Sequence, residues 1–281
     1  KLHLLQAIRL VGSEIEKQPL KSSSLARIMR ETFGGSDAGA VWSWRMAYDV
    51  MQVAAVMQVV QGSDPDAVTS AKMLAMRLLT ETRRSEEQIR LQQFSTPLPY
   101  AALVTRAAAI RPGDTVLEPS AGTGALAGFA LRVGGKPMLN EIDPFRRVLL
   151  EAIFDTQVTG FDAEHIDDLL TAPELPGVII MNPPFASSVD RSRDRHIAAK
   201  HLVSAAKRLA PGGRLVAIMP MGFSPKRDAA HWARASAIAK PRLALTIPGH
   251  VYAKLGTTVE TQLMVFDKVQ EEIECVRAMV D

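Results

Sequence analysis

Apolar residues in the first third of the chain recur at helical spacing, as in Leu4, Ile8 and Val11. A spacing of three or four residues is typical of amphipathic helices. Residues 34–37 (Gly-Gly-Ser-Asp) and 62–65 (Gly-Ser-Asp-Pro) each predict the end of one helix and the start of another. Ser36 or Asp37 would cap the helix that starts after residues 34–37. Pro65 would lie in the first turn of the helix that starts after Gly62. We therefore predict four helices in this part of the chain.

Beyond the first third, short β-rich runs alternate with helical stretches. This alternation is typical of an α/β domain with a mostly parallel, Rossmann-like sheet of seven strands. We place that domain at residues 94–281, after a separate helical domain at residues 1–93. A short connection between the last two runs predicts an antiparallel final strand. The predicted strands are 115–117, 137–140, 158–161, 178–181, 215–219, 243–247 and 262–266, and the predicted helices are 100–109, 125–132, 145–154, 165–170, 196–209 and 229–239.

Composition narrows the class of protein. The 281 residues are 47% hydrophobic and 22% charged, which is ordinary for a soluble globular protein. No apolar run approaches the roughly 18 residues of a membrane-spanning helix, so we predict no membrane partner. Cys275 is the single cysteine and no secretory leader is evident, which favours a cytoplasmic location. The histidines show no short metal-ligand spacing, so we predict no metal site.

Charge is distributed unevenly along the chain. The net charge is only +3, but residues 187–234 contain ten Lys or Arg against three Asp. Such a window can contact the phosphates of a nucleic acid. A solvated helix face would carry the same charges, so both interpretations stay open at this point. The candidate phosphate contacts are Arg191, Arg193, Arg195, Lys226 and Arg227.

A Gly-rich turn follows the first predicted strand. In parallel sheets, ligands bind beyond the carboxyl ends of the strands. Gly122 and Gly124 let the backbone turn tightly and approach a ligand closely. The turn alone would also suit a dinucleotide. Glu118, just before the turn, would repel a pyrophosphate but suits the ammonium group of a methionine, which favours S-adenosylmethionine.

Acidic residues end the next two predicted strands. Glu141, followed by Ile142, could accept hydrogen bonds from both ribose hydroxyls of a nucleoside. Asp162, followed by Ala163, could accept one from an adenine amino group. Because a dehydrogenase shares the first acid, Glu141 alone does not discriminate between these cofactors. Either acid could also cap the helix that follows it.

The fourth predicted strand leads into Asn182, Pro183, Pro184 and Phe185. An exocyclic amine of a nucleobase is a poor nucleophile because its lone pair is delocalised into the ring. The Asn182 oxygen and the Pro183 carbonyl could each accept one N–H and so turn the lone pair toward a methyl donor. The prolines would stiffen the turn. Phe185 offers a face on which a flipped base could stack.

The order of these motifs resembles the gamma arrangement of the adenine N6 DNA methyltransferases. Residues 94–97 (Phe-Ser-Thr-Pro) precede the Gly-rich turn, and residues 182–185 follow it. These enzymes belong to the class I methyltransferases, which implies a seven-stranded Rossmann-like sheet and S-adenosylmethionine as the cofactor. The resemblance also implies that Ser95 and Thr96 contact the methionine carboxylate. The implied cofactor contacts are Phe94, Ser95, Thr96, Pro97, Glu118, Ser120, Gly122, Gly124, Glu141, Ile142, Asp162, Ala163 and Asn182.

A closer resemblance covers nearly the whole chain. Together with the motifs above, residues 33–37, 42–44, 82–87 and 251–261 are similar to the N-terminal module of large bacterial, plasmid and phage proteins, among them anti-restriction proteins. Those proteins fuse a methyltransferase-like domain to a strawberry-notch-type helicase. The resemblance implies a fragment whose partners are DNA and a covalently attached helicase. Gamma enzymes usually carry a target-recognition domain after the catalytic fold. This sequence departs from that pattern, because only about fourteen residues follow Asp267.

The sequence therefore predicts a DNA methyltransferase domain that acts on an exocyclic amine, with adenine N6 as the leading acceptor. The main alternative is a weakly active or inactive module that binds DNA for an attached helicase. A guanine N2 amine in RNA or a glutamine amide in protein would also suit the Asn-Pro-Pro-Phe sequence. A dinucleotide-dependent dehydrogenase is the fourth interpretation.

Overall fold

A computed structural model describes residues 2–82, 95–171, 174–185 and 194–270. The first of these ranges contains four helices, as predicted. Every helix in the described ranges is too short or too polar to span a membrane. The four helices are α1 (Leu2–Lys17), α2 (Ser22–Phe33), α3 (Trp44–Gln61) and α4 (Ala67–Arg77).

The predicted starts of α3 and α4 were wrong. Ser43 caps α3. Ser36 and Asp37 do not cap it, since Ser36 accepts from the Gly39 backbone and Asp37 accepts from the Trp44 indole. Asp66 caps α4 by accepting from Thr69, so the preceding proline lies before the helix and not inside it.

The remaining described residues form a seven-stranded sheet in the order β3-β2-β1-β4-β5-β7-β6. The β7 strand is antiparallel to both of its neighbours, and the other described pairings are parallel, so the predicted antiparallel final strand is confirmed. The strands are β1 (Thr115–Glu118), β2 (Lys136–Asn140), β3 (Val158–Thr159), β4 (Val178–Met181), β5 (Arg214–Pro220), β6 (Lys240–Ile247) and β7 (Thr261–Asp267).

Six α-helices accompany the strands in the described ranges, and strand order reverses between β1 and β4. The carboxyl ends of those two strands therefore flank a crevice of the kind that binds ligands. The helices are α5 (Leu98–Ala108), α6 (Ala125–Arg132), α7 (Pro144–Phe154), α8 (Ile166–Leu169), α9 (Ile197–Arg208) and α10 (Ala229–Ile238).

The third strand is shorter than predicted because a side chain takes its hydrogen bonds. The Asn140 amide binds both the backbone N–H and the carbonyl of Phe161, so this residue does not join the ladder. The helix predicted at 165–170 is divided into a 3₁₀ turn (Ala163–His165) and α8. Asp162 caps the 3₁₀ turn by accepting from the Glu164 backbone at 3.0 Å.

The N-terminal helices pack directly on the sheet region. Val56 of α3 belongs to the same buried cluster as Leu117 of β1 and Phe129 of α6. A Cβ atom on Gly128 would lie 2.7 Å from a Val56 methyl. A larger residue at position 128 would therefore clash with α3 where α3 packs against α6. The boundary predicted between residues 93 and 94 lies outside the described residues, and the division into two domains stays a prediction.

Candidate cofactor and amine site

The Gly-rich turn combines one packed and one open glycine. Both Gly122 and Gly124 have left-handed backbone angles, with φ of 57° and 83°. A Cβ atom on Gly124 would come within 2.7 Å of Phe154 and 2.8 Å of Leu150, so this glycine serves the packing of α7. A Cβ atom on Gly122 would meet nothing within 4 Å. The open side of the turn therefore lies at Gly122.

Glu118 is a buried acid at the end of β1. The residue is 2% exposed, and its Oε2 atom has no hydrogen-bond partner in the described part of the chain. Burial raises its pKa well above the ordinary value, and the nearby Glu141 raises it further, whereas a hydrogen bond from the Ala127 backbone lowers it. A cation beside Glu118 would compensate this carboxyl group.

Glu141 holds the Gly-rich turn against the end of β2. Its Oε2 atom accepts from the Gly122 backbone at 2.6 Å, and its Oε1 atom accepts from the Asp143 backbone at 2.8 Å. Burial raises its pKa, while the Arg146 guanidinium opposes the rise. Each carboxylate oxygen can accept a second hydrogen bond. Two of the three predicted acids, Glu118 and Glu141, thus adjoin the turn.

Asn140 is a site residue that sequence reasoning missed. Its Nδ2 atom donates to the Pro119 carbonyl at 2.8 Å and to the Phe161 carbonyl at 2.9 Å. Its Oδ1 atom accepts from the Phe161 backbone and the Thr159 hydroxyl, both at 2.8 Å. The amide therefore ties the loops after β1 and β3 together and fixes the chain one residue before Asp162. Its only sequence signal is a polar residue at the end of a predicted strand.

Two predicted motifs meet in space. The Asn182 Nδ2 atom donates to the Thr96 hydroxyl at 3.0 Å, across 86 residues of sequence. Ser95 is half-buried, and Phe94 lies outside the described residues. Asn182 follows β4, the neighbour of β1, so the Asn-Pro-Pro-Phe loop and the Gly-rich turn flank one crevice.

The rest of the Asn-Pro-Pro-Phe loop is mostly buried. Pro183 is buried and Pro184 is half-buried. Phe185 is 7% exposed and belongs to the main hydrophobic cluster. Its side chain supports the loop in this structure, and its stacking on a base stays a prediction.

Gln52 of α3 was also missed, because its helix was interpreted only as a packing element. Its Oε1 atom accepts from the Ser95 hydroxyl at 2.5 Å and from the Thr123 hydroxyl at 2.7 Å. Its Nε2 atom donates to the Glu81 carboxylate. One buried amide from the N-terminal helices thus contacts both the Ser-Thr-Pro sequence and the Gly-rich turn.

The predicted phosphate contacts are only partly described. Arg191 and Arg193 lie outside the described residues, whereas Arg195, Lys226 and Arg227 are exposed. Their exposure is compatible with either a phosphate contact or a solvated face.

Two histidines that are distant in sequence meet near this surface. Asp228 binds the Nδ1 atoms of His196 at 3.1 Å and His231 at 2.8 Å, and the two rings stack with their centroids 5.0 Å apart. Arg195 Nε contacts the other ring nitrogen of His196 at 3.1 Å. Sequence spacing had predicted no such pairing. The cluster joins the segment before α9 to the start of α10.

Comparison with known proteins identifies the architecture. The chain matches no family model and no curated protein sequence. A proposed RNA methyltransferase from Pyrococcus horikoshii superposes with a TM-score of 0.52 and 18% identity, over 73% of this chain and 98% of that one. A modification subunit of a proposed type I restriction enzyme from Vibrio vulnificus gives a TM-score of 0.52 and 16% identity, over 80% and 53% of the two chains. The chain has the class I methyltransferase fold.

This fold was predicted from the sequence and is confirmed. TrmN from Thermus thermophilus also aligns, with a TM-score of 0.47 and 22% identity over 64% of this chain. The chain spans about half the length of TrmN and of the Vibrio subunit, at 51% and 53%.

Proposed function

We propose that this chain is an S-adenosylmethionine-dependent methyltransferase that acts on an exocyclic amine of DNA, with adenine N6 as the acceptor. The observation that carries the proposal is the hydrogen bond from Asn182 to Thr96. It holds the amide of the amine-binding loop against the element expected to bind the methionine end of the cofactor. The methyl donor and the amine would therefore meet in the crevice between β1 and β4.

The residues around this crevice fit S-adenosylmethionine. Gly122 leaves open space at the turn, and Glu118 has a buried carboxyl oxygen that suits a positively charged ligand. Glu141 directly follows β2 and Asp162 lies three residues after β3, where the ribose and the adenine are expected. Together these groups match the charge and hydrogen-bonding pattern of the cofactor from its ammonium group to its base.

The catalytic task of the chain is to make an unreactive amine attack. Bound S-adenosylmethionine supplies a methyl group on a positively charged sulfur. Asn182 Oδ1 and the Pro183 carbonyl would each accept one amine N–H, which aims the nitrogen lone pair at that methyl carbon. With the cofactor bound, methyl transfer would form the N–C bond, leave the electron pair of the C–S bond on sulfur and release an amine proton to water. Pro183 and Pro184 restrict the backbone and hold the accepting carbonyl in place.

The choice of adenine in DNA rests on motif order. Phe-Ser-Thr-Pro precedes the Gly-rich turn and Asn-Pro-Pro-Phe follows it, as in the gamma enzymes. Exposed Arg195, Lys226 and Arg227 can contact phosphates. The covalently attached helicase stays a prediction of the sequence resemblance.

Methyl transfer can be tested with the purified chain and tritiated S-adenosylmethionine. We expect label in unmethylated duplex DNA, and N6-methyladenine in its nuclease digest by mass spectrometry. Parallel reactions with RNA and a glutamine-containing peptide serve as controls. Transfer to RNA or peptide alone would contradict DNA as the acceptor. Cofactor binding without transfer to any of the three would contradict catalysis.

Asp162→Ala is expected to weaken S-adenosylhomocysteine binding about tenfold, because the adenine amine loses its acceptor. Isothermal titration calorimetry measures the change. Asp168→Ala is the matched control, since Asp168 is exposed on α8 and should not alter affinity. An unchanged affinity in the Asp162 variant would contradict an adenine contact there.

Cofactor binding is expected to release a proton from Glu118. Burial raises the pKa of the free carboxyl group above its ordinary value of 4.5, and a bound cation would lower it. Affinity should therefore rise with pH up to the raised pKa and level off above it. Titrations in buffers with different ionisation enthalpies measure the released proton. Glu118→Gln should remove this proton release, and a release that persists in this variant would assign the proton to another group.

A further inference from the structure

We infer that Gln52 sets the direction of the Ser95 hydroxyl, so that Ser95 accepts a hydrogen bond from the ammonium group of the cofactor. This inference rests on the proposed function and makes it more specific. It differs from the sequence resemblance, which implies that Ser95 and Thr96 both contact the carboxylate. It also gives the N-terminal helices a part in ligand selection.

Glu81 determines which end of the Gln52 amide faces the crevice residues. Both side chains are buried, and Nε2 of Gln52 lies against a carboxylate oxygen of Glu81. A carboxylate only accepts hydrogen bonds, so the amide nitrogen must point toward it. The amide oxygen therefore points the other way, toward Ser95.

The distances at the amide oxygen support the same orientation. The Ser95 and Thr123 hydroxyl oxygens lie 2.5 Å and 2.7 Å from Gln52 Oε1. Hydroxyl groups that donate to oxygen prefer about 2.7–2.8 Å, whereas amide nitrogens prefer about 2.9–3.0 Å. Both hydroxyls therefore donate to Gln52, and the amide oxygen has no further lone pair for another donor.

A serine hydroxyl has only one hydrogen. Because Ser95 gives that hydrogen to Gln52, its remaining capacity is for accepting. Ser95 is half-buried and directly precedes Thr96, which contacts Asn182 beside the crevice. An ammonium group donates three hydrogen bonds and accepts none, whereas a carboxylate accepts and cannot donate. Ser95 in this state selects the ammonium group.

Thr96 has the opposite polarity. Its oxygen accepts from Asn182 Nδ2, so its own hydrogen remains for donation. That hydrogen suits the carboxylate of the methionine moiety. Ser95 thus accepts from the ammonium group of the cofactor, and the adjacent Thr96 donates to its carboxylate.

The test compares S-adenosylhomocysteine with two analogues, one lacking the amino group and one lacking the carboxylate. Calorimetry on the wild-type chain is expected to show about a tenfold preference for the ligand with the amine. Gln52→Ala should lose most of that preference and keep the preference for the carboxylate. Ser95→Ala should behave in the same way, while Thr123 and Glu81 still hold the Gln52 amide.

Gln58→Ala is the matched control, because Gln58 lies on the same helix and donates to the Gly12 carbonyl. It should retain both preferences. The inference is overturned if Gln52→Ala and Ser95→Ala keep the preference for the amine, or if they lose the preference for the carboxylate instead. A wild-type chain that binds none of the ligands would contradict the proposed function itself. If the wild-type chain binds these ligands but does not prefer the one with the amino group, only the role assigned to Gln52 is contradicted.

Discussion

The Asn182→Ala variant is expected to lose methyl transfer by a factor of about 10²–10³ or more, while it still binds cofactor. The substitution removes an acceptor that orients the amine, and Pro183 alone cannot fix both N–H groups. Single-turnover transfer to DNA measures the rate, and calorimetry with S-adenosylhomocysteine measures binding.

A second variant separates catalysis from structure at this position. Asn182→Asp keeps an oxygen acceptor but loses the Nδ2 donor that binds Thr96. It should retain more transfer than the alanine variant, because an acceptor for the amine remains. Equal losses of transfer and cofactor binding in Asn182→Ala would instead indicate a structural role for the loop. Full activity in that variant would exclude the amide from catalysis.

The sequence predicted the features that neighbouring residues determine. Gly122 and Gly124 form a turn because only a few adjacent residues set its backbone angles, and both are left-handed as expected. Asn182 was predicted beside the crevice because a strand of four apolar residues ends immediately before it. In both cases the functional residue lies next to the sequence feature that predicts it.

The missed residues depend on distant partners. Gln52 binds hydroxyls 43 and 71 residues away, and its helix resembles any other buried helix in sequence. Asn140 binds Pro119 and Phe161, each 21 residues away. Their loops come close to Asn140 only when the sheet folds. Periodicity and spacing carry no information on such contacts, because a side-chain amide has no preference for a partner before the chain folds.

Asp49→Ala is expected to destabilise the fold by about 3–5 kcal/mol. Asp49 is 1% exposed on α3, and its Oδ1 atom accepts from Arg146 of α7 at 3.0 Å and 3.2 Å. The carboxylate holds the pKa of this buried guanidinium above its ordinary value, against the effect of burial. Removal of Asp49 would leave the buried Arg146 guanidinium without its hydrogen-bonded carboxylate between the N-terminal helices and the sheet region. Urea denaturation followed by circular dichroism measures the free energy of unfolding.

The surface pair Arg27–Glu31 provides the control. Both side chains are more than half exposed, at 54% and 58%, so Glu31→Ala should change stability by less than about 0.5 kcal/mol. The double variant Asp49→Leu with Arg146→Met should recover much of the loss, because it removes both buried charges and keeps apolar volume. If Asp49→Ala were no more destabilising than Glu31→Ala, Arg146 would have found another partner. Glu141 is a candidate, because its charge already raises the pKa of Arg146. In that case cofactor affinity should fall although stability is kept, since Glu141 also holds the Gly122 backbone.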